Sequence, residues 1–241
     1  MNKQEKRKMK VLELSSKADY QYYLYQLICR TYKIIKQQDL YLERFSEYIE
    51  KKQREHMLQM ASRIIVSYEE YTDYLALLGY VEMNLLNILG DLQGSSMSYY
   101  KFRQLYSKHE KNLDFKLEPL SEEIIADLKQ FNMSRNFQNH MPESLITVER
   151  EIINEKGLDI SNMNPLIVVS DESCTLEYDI DMYNSYKAMN AMAKGIFEIM
   201  KKDMSVFLGK ELEIVEMCSD KPKSIEALEP VKKSASIQGL N

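Results

Sequence analysis

The chain has 241 residues, 44% hydrophobic and 29% charged, which is the balance of an ordinary globular protein of one large or two small domains. A net charge of -5 disfavours a protein that coats duplex nucleic acid, and no apolar run approaches the roughly 20 residues that span a bilayer. Scarce glycine (7) and proline (5) favour helix, while three cysteines without Cys-x-x-Cys spacing argue against a disulfide framework or zinc site and fit a reducing cytoplasm.

Residues 1–15 are basic, but no apolar core or small-residue cleavage site follows, so they do not read as a secretory signal. Over 18–36, Leu24, Leu27, Ile28, Thr31 and Ile35 recur at three- and four-residue steps, one face of a helix. A second helix is predicted over 39–54. The stripe from Met57 and Met60 through Ile64, Tyr68, Tyr71, Leu75 and Leu78 predicts a third, ended or bent at Gly79. Another turn or two stops at Gly90. "LQGSSMS" reads as a loop, and 99–112 is helical again.

"KLEPLSEE" is a helix start, with Pro119 suited to an early helical position and Glu122 and Glu123 to the positive end of the dipole. Ile124, Ile125, Leu128 and Phe131 line its buried face. After Pro142, Leu145, Ile146, Val148, Ile152 and Ile153 predict a helix closed at Gly157. Two β-rich runs, 166–170 and 174–178, flank the turn-forming "DES" and predict a β-hairpin. Residues 181–207 are helical, "ELEIVEM" reads as a short strand, and 219–241 as a disordered polar tail. The expected fold is therefore mainly α. It is a single helical bundle over 1–218, with core 18–156, a small hairpin at 166–178 and a C-terminal helix at 181–207.

Several chemistries are unsupported. No glycine-rich phosphate loop or dinucleotide turn occurs, no His-Glu-x-x-His, and no metal-ligand cluster, so no cofactor and no metal are expected. His56 and His109 sit among charges and read as solvated. The 17 tyrosines lie mostly on helical stripes and read as core rather than as base-stacking platforms.

The densest polar stretch is "SRNFQNHMPES", residues 134–144. On an unbroken helix Arg135 and His140 would point about 140° apart. Pro142 lacks an amide hydrogen and disfavours helix just before it, so a break near His140 is expected. Such a break brings Arg135, Asn136, Asn139 and His140 around one pocket, with Glu143 beginning the next helix. Arginine grips phosphate oxygens with a planar fork, and histidine moves protons near neutral pH. Metal-free RNA cleavage needs a base, an acid and stabilisation of the charged phosphorane. One Arg–His pair covers only part of this, so a second copy in a symmetric dimer is the mechanistic expectation. The alternative is a helix end, with Asn136 and Asn139 capping stray backbone groups.

Arg135, Asn136 and His140 resemble the Arg-Asn-x-x-x-His motif of HEPN domains, and the motif lies late in a helical bundle as that family places it. The resemblance implies a metal-independent endoribonuclease, with RNA as substrate and a composite active site across a homodimer, acting as a toxin or in antiviral defence. It implies proton transfer by His140, phosphate binding by Arg135 and an orienting role for Asn136. Asn139 and Glu143 are weaker candidates from geometry alone. An antitoxin or regulatory partner is the expected company, in the cytoplasm and without a membrane. The alternative is a non-catalytic helical module that binds nucleotide or protein.

Overall fold

One helical stripe running far past a polar interruption sets the architecture. The computed structural model describes residues 13–59, 63–94, 96–139, 143–155, 157, 172–217 and 229–238. Helix α1 (Lys17–Gln59) is continuous where two helices were expected. "KQQD" reads as a boundary, yet Gln38 is fully buried and Asp39 accepts from Asn190 Nδ2 at 2.5 Å and Lys194 Nζ at 2.7 Å. The polar residues there face a partner helix, so nothing ends the helix.

The expected stripe from Met57 to Leu78 is instead divided. Strand β1 (Ile65–Ser67) precedes α2 (Tyr68–Gly90), which runs straight through Gly79. Ile65, Val66 and the hydroxyl-bearing Ser67 suit an extended segment, and Glu70 Oε2 accepts from the Ser67 backbone amide at 3.3 Å to open α2. Helix α3 (Tyr99–His109) follows and ends in a 3-10 turn, Glu110–Asn112. Helix α4 (Glu122–Asn139) starts after Ser121, whose hydroxyl accepts from Ile124 N at 3.3 Å, so Pro119 lies in the lead-in rather than in the first turn. Then come α5 (Glu143–Glu155), β2 (Ser173–Thr175), α6 (Leu176–Leu208) and α7 (Glu229–Gln238).

The protein is mainly α with one small two-stranded antiparallel element. Its pairing is long-range: Ile65 faces Thr175, Val66 faces Cys174 and Ser67 faces Ser173. The expected run 166–170 lies outside the described residues, and residues 176–178 belong to α6 rather than to a strand. Helix α7 occupies part of the tail expected to lack structure. Its opening Glu-Pro supplies an acidic residue and a proline where a first turn accommodates both. Residues 211–217 run extended but pair with no strand among the described residues.

α1 packs along α6 and α2, and α4 packs on α2. One apolar cluster joins α1, α2, α3, α4 and α6 through residues such as Leu24, Leu85, Phe102, Phe131 and Met200. A second surrounds the strand pair, with Phe45, Val66, Leu78 and Leu176 at its centre. Of the tyrosines expected in the core, Tyr20, Tyr23, Tyr71, Tyr99, Tyr106 and Tyr186 are buried, whereas Tyr22, Tyr25, Tyr68, Tyr80 and Tyr178 are exposed. Among the described residues no helix is long and apolar enough to cross a membrane.

Candidate functional site

The site forms where α4 crosses the end of α2. Leu128 and Phe131 are fully buried against the bundle, and Gly90 ends α2 beneath them. A methyl on Gly90 would fall 2.6 Å from the backbone of Phe131 and Asn132. Only glycine permits so close an approach. Arg135 follows Phe131 by one turn, so its side chain also points at the end of α2.

Its guanidinium is held from several sides. Nη2 lies 3.3 Å from Asp91 Oδ2, Nε donates to Asn87 Oδ1 at 3.3 Å, and Nη1 donates to Asn136 Oδ1 at 3.1 Å. With its amide oxygen turned to the guanidinium, Gln93 accepts from Nη1 and Nη2 at 3.0 and 3.2 Å. The loop that supplies these acceptors is itself braced. Asp91 Oδ1 accepts from Gln93 N at 2.9 Å, and Lys101 Nζ donates to the carbonyls of Gln93, Gly94 and Ser96 at 2.7–2.9 Å. One turn beyond Arg135, Gln138 donates to Glu82 Oε2 at 3.0 Å, and burial pushes the Glu82 carboxyl above its ordinary value.

Of the residues singled out by the sequence, the structure brings Arg135 and Asn136 together. Arg135 is only 7% exposed and points inward, whereas Asn136 is exposed. Asn139 is the last residue of α4 and exposed Glu143 opens α5, with His140 and Pro142 outside the described residues. The phosphate-binding role expected of Arg135 is not tested by this geometry, which shows only how its side chain is held. Arg135 has its donors occupied by protein acceptors, because the α2–α4 crossing buries it against Asp91. His109 departs from its solvated reading, since its Nδ1 lies 3.0 Å from the buried Tyr20 hydroxyl.

A pocket of about 600 Å³ opens beside this cluster, between α1, α2 and the 91–98 loop. Asn87 and Asp91 line it, with Asn84, Ser96 and the exposed cations Arg30 and Lys33. Neither cation pairs with a described residue. The sequence reading passed over these groups. A usable signal existed: Asn84, Asn87 and Asp91 form a polar row through the otherwise apolar "NLLNILGD", and Arg30 and Lys33 stand one turn apart on α1.

Two other polar clusters are sealed in the bundle. Asp203 lies 3.1 Å from Arg103 Nε and accepts from Tyr99 Oη at 2.7 Å. Burial pushes its carboxyl up to about 6 against the pull of Arg103. Asp179 is fully buried beside β2 and takes a weak bond from Cys174 Sγ at 3.6 Å. Its Oδ2 and the nearby Tyr48 hydroxyl find no partner. Burial again raises the Asp179 carboxyl to about 6. No group of three metal-ligating side chains occurs among the described residues. Comparison with protein-family models, with curated proteins and with solved structures finds no match.

Proposed function

We propose that the protein is a metal-independent endoribonuclease of the HEPN type that acts as a homodimer. The observation that carries this reading is the setting of Arg135 and Asn136. They lie in the last turns of a helix beside a pocket edged by two cations that pair with no described residue, with His140 next in sequence after that helix. In this reading His140 transfers the proton, and Arg30 and Lys33 offer the phosphate the charge that Arg135 has committed to Asp91. Arg135 is then a positioning residue that fixes Asn136 and the end of α4.

The dimer has a surface available. Helix α5 buries none of its residues, and Ile146, Val148 and Ile152 stand 44–49% exposed along it. Val148 and Ile152, one turn apart, form an exposed apolar strip that suits a second copy, with Ile146 on another side of the helix. The resemblance places the activity in a toxin–antitoxin or antiviral-defence setting.

The test is cleavage of total cellular RNA in excess EDTA. The wild type is expected to cut and His140→Ala to lose cutting by at least about a hundredfold. Ile152→Glu, which sets a charge on the exposed strip, should lower cutting together with the dimer fraction. Equal cutting by wild type and His140→Ala would sink the assignment. The closed state of Arg135 favours one second reading, a binding module without catalysis. Its sign is a folded dimer that binds RNA and cuts none.

A further inference from the structure

A groove of about 1250 Å³ runs between α1 and the segment 211–217. Its floor on α1 carries Tyr22, Tyr25, Cys29, Arg30 and Lys33. At about 100° per residue these five fall within one side of the helix, and Tyr22 and Lys33 are about 16 Å apart along it. The order matters. Two tyrosines, 56% and 53% exposed, come first, and two cations follow. An exposed tyrosine ring is an unused stacking surface, and an unpaired guanidinium or ammonium is an unused phosphate contact.

The far wall is fixed. Leu212 and Ile214 pack against the core, the Leu212 amide donates to Ser205 Oγ at 3.0 Å, and Lys36 Nζ lies 2.7 Å from Glu216. Alternation along this extended wall leaves Val215 and Met217 exposed, at 70% and 91%. Glu213 also lies on this wall and opposes the two cations, so phosphates are expected on the α1 side.

Arg30 and Lys33 belong to this groove and equally to the pocket beside Arg135, where Asn87 and Asp91 stand. The two hollows therefore adjoin at these two side chains, which mark out a path across both. We infer that single-stranded RNA lies along this path, its bases on Tyr22 and Tyr25 and its phosphates on Arg30 and Lys33, and enters the Arg135–Asn136 site through the pocket. Aromatic platforms in series with cations bind single strands of any sequence, because every base has a face to stack. A duplex keeps its faces stacked internally and gains only the charge contacts. The inference rests on the ribonuclease reading for its direction but not for its binding.

The test uses the full chain and a fluorescent oligouridylate of about twelve nucleotides. Its riboses carry 2′-O-methyl groups, so no 2′-hydroxyl is present to attack. Anisotropy is followed across a salt series. Arg30→Gln with Lys33→Gln should weaken binding about tenfold or more and reduce the slope of log K against log salt by about 1.4. Tyr22→Ala with Tyr25→Ala should weaken binding about tenfold per ring while leaving that slope unchanged. Tyr22→Phe with Tyr25→Phe should bind as the wild type does. These side chains are exposed, so the fold is expected to survive, as circular dichroism would check. A wild type that binds no strand overturns the inference, as do both deletion pairs binding normally, and a polypeptide then becomes the better occupant. Binding through the groove by a protein that cuts no unmodified RNA would leave the path standing and remove the ribonuclease.

Discussion

Two arginines of this bundle each meet a buried aspartate, and the two pairs do different things. Arg103 and Asp203 are 7% and 3% exposed and lie between α3 and α6. Arg103 also donates to Tyr99 Oη and the Glu118 carbonyl, so the triad is closed by protein on every side described. Arg135 and Asp91 are nearly as buried, at 9% and 10%, yet Asp91 forms part of a pocket wall. The first pair is sealed. The second sits one layer below solvent, beside two cations that pair with no described residue. Burial alone therefore does not distinguish the two pairs. Access of the aspartate to a pocket does.

The sharpest break between the pairs is expected on losing the cation. Arg103→Met should destabilise the protein by about 3–5 kcal/mol, because Asp203 is left buried without compensation. Denaturant unfolding checks it. A loss under about 1 kcal/mol would mean that water reaches Asp203 and that the distinction between the pairs is false. Arg135→Met should remove about 1–3 kcal/mol, since Asp91 can hydrate through the pocket. In an Asp91→Asn background that loss should shrink, the coupling of a direct pair. Arg135→Lys should not restore it, because an ammonium cannot reach Asn87, Asp91 and Asn136 together as the planar fork does.

The same contrast explains what could be read in advance. The helical stripes were legible because burial on one face repeats every three or four residues. Leu24, Leu27, Leu128 and Phe131 are buried as that period requires. The polar end of α4 was legible as a cluster. The inward turn of Arg135 was not, because its partners Asn87, Asp91 and Gln93 belong to α2 and the loop after it. The unity of α1 was hidden for a similar reason. Gln38 and Asp39 look like solvent-facing residues until α6 supplies Asn190 and Lys194. Three-residue strands carry almost no local period, and the β-rich run 174–178 could not name Ile65–Ser67 as its partner. The exposure of Tyr22 and Tyr25 was hidden for the converse reason, since they share a helix with buried Tyr20 and Tyr23.

A third aspartate sharpens the comparison further, since it pairs with no cation among the described residues. Asp179 is fully buried, meets Cys174 Sγ at 3.6 Å and has one oxygen without a partner. Burial raises its carboxyl to about 6, with the Cys174 bond pulling down and Glu70 pushing up. Burial also raises the Cys174 thiol to about 11, so it stays neutral and adds no second negative charge beside Asp179. A carboxyl whose folded value exceeds its unfolded value holds its proton more tightly in the folded protein. Its contribution to stability is fully present below about 4 and is lost as pH rises through about 6. Asp203 is raised in the same direction, so wild-type stability should fall over this window from both groups. Asp179→Asn cannot ionise and should raise stability at pH 7 by about 1 kcal/mol, the smallest of these effects. It should also flatten the fall between pH 4 and 6 and leave the share that belongs to Asp203. Melting temperatures across that range decide the matter. An unchanged pH profile in Asp179→Asn would show that Asp179 is ionised in the fold, and that a buried carboxylate here needs no cation to stay charged.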